Sequence, residues 1–111
     1  AGEINKGYTR KNHLVSFLKE RMDYIPGVVG CICIQLFYNE MTHKVFGIEI
    51  NPRFGGGYPL SYYAGANFPE FLLREYFLNE SLSYTDSWKN NTLMLRYDSE
   101  VIVYEEEGVR F

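Results

Sequence analysis

An α+β fold, with a mostly antiparallel sheet and helices packed on one face, follows from two helical stripes and two pairs of short apolar extended runs. From Asn12 to Ile25 the apolar residues Leu14, Phe17, Leu18, Met22 and Ile25 recur at helical steps, and Asn12 is placed to act as N-cap. Pro26-Gly27 breaks this pattern, and Val28 to Tyr38, rich in Val, Ile and Phe, reads as a buried strand. The polar segment Asn39 to His43 joins it to a second strand, Lys44 to Ile50, which Pro52 closes. Leu60 to Ala66 reads as a helical turn. Asn67 then caps a firmer helix ending near Asn79, with Pro69 in the first turn, Glu70 at the capping-box position, and Phe71, Leu72 and Tyr76 on one face. Leu93 to Tyr97 and Val101 to Tyr104 flank Asp98-Ser99-Glu100 as a second expected hairpin, before a solvated acidic run, Glu105 to Glu107.

The 111 residues make one domain with one core. For this mass, surface scaling gives about 6,300 Å² exposed when folded against about 18,900 Å² unfolded, so about two thirds of the surface is expected to be buried. Eleven Lys and Arg against fourteen Asp and Glu give a net charge of -3, the wrong sign for a phosphate-backbone binder, so nucleic acid is not an expected partner. The longest apolar runs are strand-sized, and no signal-peptide pattern is seen, so a soluble, cytoplasmic chain without a membrane partner is expected. In that setting the glycosylation patterns at Asn79 and Asn90 carry no weight. Cys31 and Cys33 rule out a disulfide framework. With His13 and His43 they fit no common zinc spacing and read as small buried hydrophobes. Tyr58, Tyr62 and Tyr63 either line a pocket or cover the core.

The chemistry concentrates between Gln35 and Gly57. With an odd hairpin loop, such as the five residues Asn39 to His43, Tyr38 pairs with Lys44, Gln35 faces Gly47 and Cys33 faces Glu49. Ile32, Ile34, Leu36, Phe46, Ile48 and Ile50 then form one apolar face, expected to be core. On the other face the Glu49 carboxylate, the Asn51 amide oxygen and the diagonal Gln35 carbonyl converge as three hard oxygen donors, a set suited to Mg²⁺. An even loop would separate Gln35 from Glu49. Arg53 follows two positions on, with a guanidinium fork suited to a phosphoryl or carboxylate group. Gly55-Gly56-Gly57 lets the backbone approach a ligand, but without a following Lys-Ser or Lys-Thr it is not a Walker A loop.

Glu49-Ile50-Asn51-Pro52-Arg53, with Gln35 fourteen residues before Glu49, resembles the C-terminal lobe of the ATP-grasp superfamily, most closely the carbamoyl-phosphate synthetase large-subunit family. The likeness continues through Phe54-Gly55-Gly56-Gly57-Tyr58-Pro59 and Ala64-Gly65-Ala66-Asn67 and covers roughly Gly27 to Tyr97. It implies that Gln35, Glu49 and Asn51 hold Mg²⁺ or Mn²⁺ bridging the phosphates of ATP, and that Arg53 has the catalytic role of stabilising the transferred phosphoryl group. It also implies an acylphosphate made from a carboxylate substrate and attacked by an amine or similar nucleophile. Lys6 to Arg10 only loosely matches a basic segment near the phosphates in some relatives. The upstream lobe of such enzymes, with its glycine-rich flap and nucleotide-holding lysines, has no counterpart here. The chain is therefore expected to be one inactive lobe of a longer ligase. The alternative is a non-catalytic binding or oligomerisation module that forms a homodimer or docks onto the missing lobe.

Overall fold

The computed structural model describes residues 4–104. In chain order the elements are β1 (Lys6–Tyr8), α1 (His13–Asp23), β2 (Cys33–Tyr38), β3 (Val45–Asn51), α2 (Tyr58–Tyr63), α3 (Phe68–Tyr76) and β4 (Leu93–Leu95). The α+β class and the antiparallel pairing agree with the sequence reading. The single sheet does not: among the described residues β1 pairs with β4 and β2 with β3, giving two separate two-stranded sheets.

Local signals set the helix ends. The Asn12 side chain accepts the Leu14 amide at 3.0 Å, and α1 stops at Tyr24, just before Pro26 and a positive-φ Gly27. Asn67 accepts the Glu70 amide at 3.3 Å and donates its own amide to the Glu70 carboxylate at 3.0 Å, so the two side chains lock the first turn of α3. The turn expected over Leu60 to Ala66 is a helix that starts earlier, at Tyr58, with Pro59 in its first turn.

The expected second hairpin is replaced by a long-range pairing. Leu93–Leu95 lies against Lys6–Tyr8, and the 101–104 run forms no strand. Thr9 explains the choice: its hydroxyl donates to the Lys89 carbonyl at 2.6 Å and accepts the Thr92 amide at 2.9 Å. The Asn90 side chain also accepts the Lys11 amide at 2.8 Å, so the segment before β4 is laid alongside the end of β1. The acidic Glu105 to Glu107 run lies outside the described residues.

The buried centre is small. Ala64 and Ala66 are the only buried hydrophobic side chains among the described residues, at 1% and 8% exposure. They flank Gly65, whose φ of 105° favours glycine and where an added Cβ would lie 3.9 Å from the Trp88 backbone. The Lys89 amide donates to the Ala64 carbonyl at 2.7 Å, so two backbone segments meet here.

The expected two-thirds burial is not reached. The chain exposes 9586 Å², about half of its unfolded surface on the same scaling. Its radius of gyration is 18.4 Å, against about 13 Å for a compact domain of this length. Phe46, Ile48 and Ile50, expected in a core, are 64%, 54% and 53% exposed. Among the described residues no helix is long and apolar enough to cross a membrane.

Ala64→Val should overfill the junction of α2, α3 and the Trp88 segment. The expected cost is about 1–3 kcal/mol, read as a lowered urea midpoint. Tyr63→Ala, at a position 74% exposed, should shift stability by less than about 0.5 kcal/mol.

Candidate functional site

The site is built on the β2–β3 hairpin. The Asn39 side chain accepts the Met41 and Thr42 amides at 3.0 and 2.9 Å, folding the turn around itself. The Asn39 amide in turn donates to the Lys44 carbonyl at 3.0 Å, which extends the ladder and leaves Glu40 to His43 as an even loop closed by the left-handed His43. Tyr38 consequently pairs with Val45 rather than Lys44, and the odd-loop expectation fails.

An irregularity then reverses the consequence. Leu36 pairs with Gly47 but Gln35 pairs with Glu49, so Ile48 is an extra residue in β3, a β-bulge. The bulge restores the parity that the even loop removed, and Gln35 and Glu49 stand directly opposite each other. Asn51 faces Cys33, two positions along and on the same side. Gly47 is opposite Leu36 rather than Gln35, and Phe46, expected among the core residues, is opposite Phe37 on the Gln35 side. Ile48 still lines a cleft of about 650 Å³ with Ile34, Leu36 and Ile50, facing Phe17 and Met22 of α1.

The polar set is close and open. The Asn51 amide donates to the Glu49 carboxylate at 2.8 Å, and Gln35 and Glu49 are both exposed. The Arg53 amide donates to the Asn51 carbonyl at 2.8 Å, a tight turn centred on Pro52 that sends the chain out of the sheet. Arg53 extends beyond this turn, its guanidinium donating to the Phe54 carbonyl at 3.0 Å. The donor set fits a hard divalent cation in type, with one carboxylate and two amide oxygens. It carries a single formal charge, and among the described residues no three His, Cys, Asp or Glu side chains cluster. Three donors would leave the rest of a cation's shell to other hard oxygens, such as water or phosphate.

The glycine turn is held from three sides. A Cβ on Gly55 would fall 2.7 Å from the Cys33 sulfur, so this glycine is required by close approach to β2. The Tyr58 amide donates to the Gly55 carbonyl at 3.0 Å, closing the turn into α2. Arg96, just past β4, donates to the Gly56 carbonyl at 3.1 Å and to the Ile4 carbonyl at 3.2 Å. The sequence reading absorbed Arg96 into an apolar strand; its one signal was a cation inside that run.

Other singled-out residues serve packing. Tyr58 packs between the tilted rings of Phe54 and Phe68, at centroid separations of 4.7 and 5.8 Å, whereas Tyr62 and Tyr63 are exposed. Its hydroxyl is buried without a hydrogen-bond partner among the described residues, and burial pushes its pKa up. Arg10, in the segment loosely likened to a phosphate contact, is engaged by the Tyr8 hydroxyl at 3.0 Å and by Glu40 at 3.1 Å. Cys31 and Cys33 are free thiols and half-buried rather than fully buried. Burial raises the Cys31 pKa, with the neighbouring Cys33 adding to the shift.

Gly55→Ala should destabilise the hairpin end by about 1–3 kcal/mol, and Cys33→Ala in the same chain should recover most of the loss by removing the obstructing sulfur. Additive effects in a denaturation cycle would show that the two positions do not touch. For Cys31, the alkylation rate against pH should rise at higher pH in the folded chain than in the unfolded one. Because folding favours the protonated thiol, the stability this contributes is present below the unfolded thiol's pKa and lost as pH rises through the folded one. Compared with known protein families and with curated proteins, the chain finds no match in either.

Proposed function

We propose that this chain is the C-terminal lobe of an ATP-grasp ligase, joining a carboxylate to an amine or similar nucleophile through an acylphosphate. The observation that carries the reading is the direct opposition of Gln35 and Glu49, with Asn51 hydrogen-bonded to Glu49 and Arg53 one tight turn further on. It puts three hard oxygen donors on one side of the ladder, with the Arg53 cation two residues beyond Asn51.

A bound Mg²⁺ or Mn²⁺ would neutralise nucleotide phosphate charge. Glu49 supplies the one anionic ligand, and Gln35 and Asn51 supply carbonyl oxygens once the Asn51 amide turns its oxygen inward. Arg53 holds a phosphoryl or carboxylate oxygen pair beside them. The glycine turn lets the backbone come close to that group without a side chain intervening. These residues position and neutralise; none needs to act as a covalent nucleophile. Their exposure supports a further lobe as the part that excludes water, so this chain alone is expected to bind weakly and not to turn over.

The open apolar surface favours one second reading, an association module. On the first reading further polypeptide covers Phe37, Phe46, Ile48 and Ile50, and sedimentation gives a monomer; on the second it gives a dimer that charged substitutions at Ile48 or Ile50 dissociate.

The principal test is an NMR titration of the chain with a non-hydrolysable ATP analogue and Mg²⁺. Saturable shifts are expected at Gln35, Glu49 and Asn51, absent with Mg²⁺ alone and lost in Glu49→Gln. Wild-type resonances that do not move, or an undiminished response in Glu49→Gln, would overturn the assignment.

A further inference from the structure

We propose that Arg96 is a positioning residue for the phosphoryl-binding turn, a role that rests on the functional reading above. One nitrogen of its guanidinium donates to two carbonyls at once, Gly56 at 3.1 Å and Ile4 at 3.2 Å. The Arg96 amide donates to the Asn5 carbonyl at 2.6 Å, continuing the β1–β4 ladder by one step, so the side chain starts from a fixed backbone. A second contact lies at the same place: a Cβ on Gly57 would be 3.2 Å from the Ile4 side chain. The glycine turn is thus seated on the start of β1, and Arg96 is the bolt that holds it there.

The physical consequence follows from what lies on either side of the turn. Towards the N-terminus it continues into Phe54 and Arg53, and through the Pro52 turn into the Asn51–Glu49 pair. Towards the C-terminus it is closed by the Tyr58 amide on the Gly55 carbonyl. Three successive glycines have the largest conformational freedom of any tripeptide, and without a tether the turn would sample many arrangements. Arg96 forms no ion pair among the described residues, so its charge is not spent on a carboxylate. A charged donor shared by two carbonyls fixes the Gly56 peptide and with it the glycine turn that follows Arg53. The same side chain is a tether between the two sheets, since it follows β4 and grips the segment that follows β3.

Arg96→Met keeps most of the apolar stem and removes the donors, and Arg96→Lys restores a cationic donor. Amide hydrogen exchange reads the turn directly, with Tyr58 as the reporter. In Arg96→Met the Tyr58 amide should exchange about tenfold faster, while the β2–β3 ladder amides stay at wild-type rates. Arg96→Lys should recover most of the protection, and binding of the Mg²⁺ and ATP-analogue pair should weaken about tenfold in Arg96→Met. Wild-type exchange at Tyr58 in Arg96→Met would overturn the proposal. So would faster exchange throughout the chain, which would make Arg96 a general stabilising residue. Failure of the wild-type chain to bind the pair would overturn the ligase reading, whereas the exchange rates decide the tether by themselves.

Discussion

The antiparallel ladder between β2 and β3 fixes which side chains share a face, and the candidate site inherits its geometry from that register. A slip of one residue in such a ladder moves a whole strand's side chains to the opposite face. Here two local features act against each other. Asn39 folds the loop around its own side chain and makes it even, which alone would have separated Gln35 from Glu49. The bulge at Ile48 adds one residue to β3 and brings them opposite again. With Asn51 opposite Cys33, the Pro52 turn carries the chain out of the sheet and returns Gly55 to the Cys33 sulfur.

A second constraint is the close meeting of backbones at Ala64-Gly65-Ala66. The end of α2 and the start of α3 come together there against Trp88 and Lys89. Thr9 and Asn90 then lay β4 beside β1, and Arg96 connects that sheet to the glycine turn. The two halves of the chain are joined by polar tethers rather than by a shared apolar core. Much apolar surface accordingly stays open, with Phe46, Ile48 and Ile50 of the hairpin each more than half exposed.

The sequence carried the helices through caps and periodicity: Asn12, Asn67, Pro69 and Glu70 are local signals acting on neighbouring residues, and they placed α1 and α3 nearly where they lie. It carried the β2–β3 hairpin from apolar runs separated by polar residues, a signal that failed for 93–97 and 101–104, where a distant segment took the partner's place. Gln35, Glu49, Asn51 and Arg53 were legible because each side chain's chemistry is intrinsic to its type and three of them fall within five residues. β1 was not legible, because a three-residue segment containing glycine has no pattern of its own. It becomes a strand only when Thr9 draws in a partner from 80 and 83 positions away.

By itself, the sequence determined the class of fold, the capped starts of α1 and α3 and the identity of the polar residues, all of which depend on interactions over a few positions. Tertiary structure alone decided the register of Gln35 against Glu49, the pairing of β1 with β4, and the contact of Arg96 with Gly56. Each of these joins segments whose separation in the chain carries no local preference, so the choice rests on loop geometry, a bulge and hydrogen bonds that exist only once the chain has closed on itself.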